Sequence, residues 1–102
     1  MARLVVMYGM PKDPAAFDKH YFEAHVPIAK RVPGLRKYEV SRGPIATPAG
    51  PAKFYLIATL HFDDMQAIQN AFASPQGQAA AADVATFATG GADMLLFDSA
   101  EI

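Results

Sequence analysis

The 102-residue sequence predicts an α+β domain, an antiparallel sheet in βαββαβ order with its helices on one face. Three observations carry this. Apolar runs rich in β-formers at Arg3–Gly9 and Lys53–Phe62 read as strands, and a charged run at Leu35–Arg42 reads as another. Apolar residues at helical spacing recur after Asp13 and again after Asp63, each time behind a capping side chain. A short apolar run, Asp93–Asp98, follows Gly90-Gly91 and supplies the last strand.

Taken in order, Arg3–Gly9 is continuously apolar but for Arg3 and ends at Gly9 and Pro11, as expected of a strand buried on both faces. Asp13-Pro14 opens a helix: the carboxylate accepts from orphan amides and proline fits the first helical position. Phe17, Tyr21, Ala24 and Ile28 then form one apolar stripe. Pro27 lacks an N–H and disfavours helical geometry at Val26, so the helix is expected to end or kink near His25. A further turn through Ile28–Arg31 precedes Pro33-Gly34. Leu35–Arg42 mixes charges of both signs, which suits a sheet edge. Gly43–Pro51 reads as a mobile loop. In Lys53–Phe62 the residues Phe54, Leu56, Ala58, Leu60 and Phe62 make one apolar face, and Tyr55, Ile57, Thr59 and His61 make a mixed one. Asp63 is expected to cap a helix over Asp64–Ala73, and Ser74-Pro75 a second over Gln76–Ala88, where four consecutive alanines favour helix. The plan that results is ferredoxin-like, with the two most apolar strands in the centre and the charged one at an edge.

Composition narrows the function. A chain this long is one domain, 1–102, and 52% apolar residues suffice for a core. A formal charge of −1 gives no electrostatic basis for binding nucleic acid or an anionic membrane. The absence of cysteine excludes disulfides, thiolate nucleophiles and thiolate-bound metals. No apolar stretch approaches ~20 residues, so no membrane span is expected. The apolar run at Met1–Tyr8 is too short for a secretory signal, and the expected location is the cytoplasm.

Two of the three histidines, His20 and His25, lie five positions apart in the first helix. At ~100° per residue a regular helix separates them by roughly 140°, so they face one pocket only if a break before Pro27 relaxes the angle. The same angle argues against a His–His metal pair, and no metal is expected. His25, at the negative end of the helix dipole, is the candidate acid–base residue. His20 borders the apolar stripe and is the weaker candidate, better suited to a packed polar role. Tyr21 lies in the stripe, either as a core tyrosine with a satisfied hydroxyl or as a proton donor. Tyr55, Thr59 and His61 are candidate substrate-binding residues on the sheet face opposite the Phe54 stripe. Helices cover only one face of such a sheet, and apolar groups on the other imply a homodimer with sheets packed face to face. The space between the sheets would enclose a pocket. Neither a glycine-rich fingerprint nor an axial-ligand setting is readable, so no cofactor is expected.

The ordered set Asp13-Pro14-Ala15-Ala16-Phe17, His20-Tyr21, His25-Val26-Pro27 and Pro33-Gly34 resembles the EthD family, named for a protein of alkyl ether degradation. The resemblance implies a ferredoxin-like protomer and a dimeric α/β barrel. It does not fix an activity, because related barrels include isomerases, cyclases, dehydratases, monooxygenases and proteins of no known activity. The expected function is a protein of small-molecule metabolism or degradation, either a cofactor-independent enzyme acting on an apolar, oxygen-bearing compound or a non-catalytic ligand-binding protein with the same cavity.

Overall fold

The computed structural model describes residues 1–102. The chain runs β1 (Ala2–Gly9), α1 (Pro14–His20), a π-helical turn (Tyr21–His25), α2 (Val26–Ala29), β2 (Lys37–Val40), β3 (Ala46–Thr47), β4 (Gly50–Pro51), β5 (Phe54–Phe62), α3 (Met65–Ala73), α4 (Pro75–Phe87) and β6 (Ala92–Asp98). The main sheet has the order β2-β5-β1-β6 with every neighbouring pair antiparallel. This is the expected ferredoxin-like plan, with β1 and β5 central and charged β2 at an edge. The segment after Gly43, expected as a loop, holds a small hairpin in which Ala46 and Thr47 pair with Pro51 and Gly50.

Strand alternation sets the two faces. Ala2, Leu4, Val6 and Tyr8 are buried, as are Leu56, Ala58, Leu60 and Phe62 on β5, and these point beneath the helices. Arg3, Val5 and Met7 point to the open face and are only half-buried. Above the inner face Tyr8, Phe17, Tyr21 and Phe87 form an aromatic cluster. Phe17 lies edge-on to Tyr8 at 5.4 Å and to Phe87 at 5.3 Å, and is stacked on Tyr21 at 5.6 Å. The far edge is different: on β6 Leu95 is 52% exposed and Phe97 42%.

The helix caps follow the sequence with one shift. Asp13 accepts from the Ala16 amide at 3.1 Å, and Ser74 accepts from Gly77 at 3.0 Å. α3 is capped by Asp64, not Asp63, through a 2.7 Å bond from the Ala67 amide. Asp63 instead accepts from the Arg36 guanidinium at 2.8 and 3.1 Å, an ion pair that draws it away from the helix.

α3 and α4 meet at a sharp corner around Ser74. A Cβ on Gly77 would stand 1.8 Å from the Ala71 carbonyl oxygen, so only glycine fits there. Gly77→Ala is expected to cost at least about 2 kcal/mol of stability by forcing backbone apart. Equilibrium urea unfolding checks this, and an unchanged midpoint would show that the corner is pliable.

Candidate functional site

The sequence predicts that Pro27 ends or kinks the first helix. The chain instead stays helical to Ala29 by widening one turn. The Val26 amide bonds the Tyr21 carbonyl five residues back, and helix resumes with Pro27 in its first turn. A proline inside a regular α-helix collides with the carbonyl four residues earlier. The extra residue in the turn shifts that carbonyl, which belongs to Glu23, out of register. Widening also changes direction. Across such a turn, residues five apart are separated by roughly 50° instead of 140°. His20 and His25 therefore look to the same side.

Both face Asp83 on α4. His25 Nδ1 lies 2.9 Å from Asp83 Oδ2, and His20 Nε2 lies 3.0 and 3.1 Å from the two carboxylate oxygens. A carboxylate only accepts, so the bonded nitrogen of each imidazole carries its proton. For His25 that leaves Nε2 as the free basic nitrogen. The His25 side chain is 6% exposed, Asp83 13% and His20 35%. Burial pushes the His25 pKa below its ordinary 6.5, and the bond to Asp83 opposes but does not cancel that shift. Burial also pushes Asp83 upward, but the bonds from His25 and His20 outweigh it and hold the carboxyl below its ordinary range. At neutral pH the pair is a carboxylate beside a neutral, oriented imidazole. The two imidazoles bond the carboxylate itself instead of converging on a common point, and no group of three His, Cys, Asp or Glu side chains is placed to hold a metal ion.

His25 borders an apolar cavity of about 60 Å³ between the sheet and the helices, lined also by Leu4, Val6, Tyr8, Tyr21 and Tyr38. Tyr21 is fully buried, and its hydroxyl lies 2.7 Å from that of Tyr38. Burial raises the Tyr21, Tyr8 and Tyr38 pKa values, so all three phenols stay protonated. Two hydroxyls sharing one hydrogen bond leave one proton free to be donated to a ligand oxygen.

The three candidate residues on β5 separate. The β1–β5 register slips between Tyr8 and Gly9, so that one residue of β5 bulges. Tyr55 sits at that bulge and turns to the helices, edge-on to Phe17 at 5.2 Å with its hydroxyl donating to Asp18 at 2.8 Å. It borders an open groove of about 750 Å³ beside Phe22 and Arg42. Thr59 and His61 stay on the open face, where His61 Nε2 lies 2.6 Å from a Glu39 carboxylate oxygen. Within the protomer the sheet therefore lies between His25 and both Thr59 and His61. Asp83 was not singled out by the sequence. Its signal was present all the same: it is the only charged side chain in α4, four residues before the buried Phe87.

These features define a ferredoxin-like protomer with a buried histidine–carboxylate pair over an apolar cavity. The chain belongs to the EthD domain family, whose pattern matches residues 10–91. It is 42% identical over 98 residues to an uncharacterized 11.0 kDa protein of the thcB–thcC intergenic region of Rhodococcus erythropolis, covering 96% of this chain and 94% of that one. The crystal structure of an ethyl tert-butyl ether degradation (EthD) family protein from Bacillus halodurans matches with a TM-score of 0.89 at 34% identity, covering 98% of this chain and 99% of the other. SnoaB, a cofactor-independent oxygenase from Streptomyces nogalater, shares the fold with a TM-score of 0.69 at 18% identity, over 99% and 94% of the two chains.

The pKa directions fix a pH dependence. Between its folded pKa and 6.5, His25 binds more protons in the unfolded chain, so stability falls as pH drops through that window. Asp83 adds a second loss at lower pH, as acid protonates a carboxyl whose folded pKa lies below 3.8. His25→Gln is expected to flatten the upper part of this acid loss and keep the lower part. Urea midpoints measured across the acid range check this, and an unaltered profile would contradict the buried neutral imidazole.

Proposed function

We propose that this protein is a small-molecule enzyme in which His25 moves a proton on an apolar, oxygen-bearing substrate. The carrying observation is the buried His25–Asp83 pair, whose unbonded Nε2 belongs to a residue lining the apolar cavity. A desolvated neutral imidazole is a competent general base near pH 7, and Asp83 stabilises the imidazolium formed when it accepts a proton. The spare Tyr21–Tyr38 proton can hold a substrate carbonyl or phenol oxygen while charge develops there. Abstraction of a proton next to a carbonyl followed by its return elsewhere is isomerisation; the same carbanion attacking a second carbonyl is cyclisation; expulsion of a hydroxyl is dehydration. The fold shared with a cofactor-independent oxygenase is consistent with a substrate carbanion reacting directly with oxygen. A cavity of about 60 Å³ takes only the reacting end of such a compound, so the remainder lies outside it.

The working unit in this reading is a homodimer. The open sheet face carries Val5, Met7 and Ile57, and the exposed Leu95 and Phe97 extend it along an edge strand unpaired on its outer side. No helix is long and apolar enough to cross a membrane. Thr59 and His61 face the space between two such sheets, so a ligand they held would be separate from the one at His25.

A second reading, non-catalytic ligand binding, is favoured by the smallness and apolar character of the cavity. Turnover distinguishes the two. His25→Ala is expected to lower kcat by about 10²–10⁴, the range of a lost general base, while leaving the dimer intact. Asp83→Asn is expected to lower it less, because the base remains but loses its orientation. With aromatic or polyketide-like test compounds, saturable binding without product would replace catalysis by the second reading, and turnover retained in His25→Ala would remove His25 from the mechanism.

A further inference from the structure

We propose that the homodimer is locked by two symmetric ion pairs between Arg3 of one copy and Asp93 of the other, an inference that rests on the face-to-face dimer above. Arg3 is the only charged residue on β1, and its Nη1 is buried with no hydrogen-bond partner, the sole side-chain nitrogen or oxygen in that state. A buried guanidinium nitrogen without an acceptor is costly, and a carboxylate brought by a partner would satisfy it. No such carboxylate reaches it within the protomer. Glu39, the nearest acid of the face in register, is held by His61 at 2.6 Å and by Lys37 at 3.7 Å.

Asp93 is the unused acid of the same face. It is exposed, makes no ion pair or side-chain hydrogen bond within the protomer, and lies opposite Met7 in register. The pairs Arg3–Phe97, Val5–Leu95 and Met7–Asp93 form successive rows of the face. The Arg3 row continues through His61 to Lys37, both already engaged by Glu39, so Arg3 is the uncompensated cation at one end of the face. Asp93 lies at the other end, where Lys53 borders the same groove.

A two-fold axis has two simple orientations over this face. Along the strands, it stacks the Lys37–His61–Arg3 row on its own copy, positive on positive. Across the strands, through the Val5–Leu95 row, it lays the basic row of each copy over the Met7–Asp93 row of the other. Arg3 then stands over the partner's Met7, one strand spacing of about 4.8 Å from the partner's Asp93 and within diagonal reach of it. The reciprocal pair forms at the same time, and Val5 and Leu95 pack near the axis. Sheets stack about 10 Å apart, a gap an arginine side chain can span. The charge pattern selects the second orientation.

Sedimentation equilibrium of the full chain tests this with charge reversals. Arg3→Asp and Asp93→Arg are each expected to weaken dimerisation about tenfold or more, and the double reversal to restore it to within a few fold of wild type. Singles that leave the dimer constant unchanged, or a double variant no tighter than either single, overturn the pairing while leaving the dimer standing. A monomeric wild type overturns the dimer reading itself. If Arg3→Asp does not fold, Arg3→Met replaces it: Asp93→Asn should then weaken the wild-type dimer and leave the Arg3→Met dimer unaffected, and equal weakening of both overturns the pairing.

Discussion

The site depends on one wide turn. Pro27 cannot sit in an unbroken α-helix, and the chain answers by admitting an extra residue between Tyr21 and Val26. That answer rotates His25 onto the side of His20 and lets one carboxylate bond both. With a regular turn, Asp83 would face one imidazole and the other would point elsewhere. The tie also connects distant parts of the fold, because Asp83 belongs to α4, whose path is fixed by the tight corner at Gly77. Proline, wide turn, carboxylate and glycine corner thus act as one unit.

The electrostatics follow from where this unit is placed. Burial works against a charged His25 and against a charged Asp83, and hydrogen bonds decide which of them yields. Two imidazole N–H groups serve the carboxylate, so Asp83 keeps its charge, and His25 stays neutral with its proton committed to Nδ1. Nearby phenols are held protonated by the same low-polarity surroundings. The cavity is therefore bordered by a neutral imidazole and protonated phenols, with almost everything else apolar. In such surroundings a single fixed dipole or charge acts strongly on a bound molecule.

The architecture was legible in the sequence because it is written in short-range patterns: the apolar run of β1, alternation in β5, capping residues at Asp13 and Ser74, the charges of β2. The site was legible only in part. His25 stood out beside Pro27, while His20 ranked second on the geometry of a regular helix, and the wide turn before Pro27 supplies the break that brings the two together. Asp83 lies 58 and 63 residues from its two partners, a separation no local period reports. Its lone charge among alanines was the only sign. Tyr55 was placed by strict alternation, which a one-residue bulge near the strand's start reverses. In each case a local irregularity or a long-range contact carried what the periodic reading could not.

The sheet divides the protein into two chemically distinct sides. Beneath the helices lie the His25–Asp83 pair, the phenols and the cavity; on the open face lies an apolar band with Arg3 at one end and Asp93 at the other. Both sides share β1, yet alternation assigns Arg3, Val5 and Met7 to one and Leu4, Val6 and Tyr8 to the other. A change to an open-face side chain therefore reaches the His25 site only through backbone shifts, and these are resisted by a strand hydrogen-bonded on both edges. Assembly and chemistry can vary independently on such a scaffold. Family membership accordingly describes the sheet and its helices, while the side chains gathered around Asp83 are particular to the site.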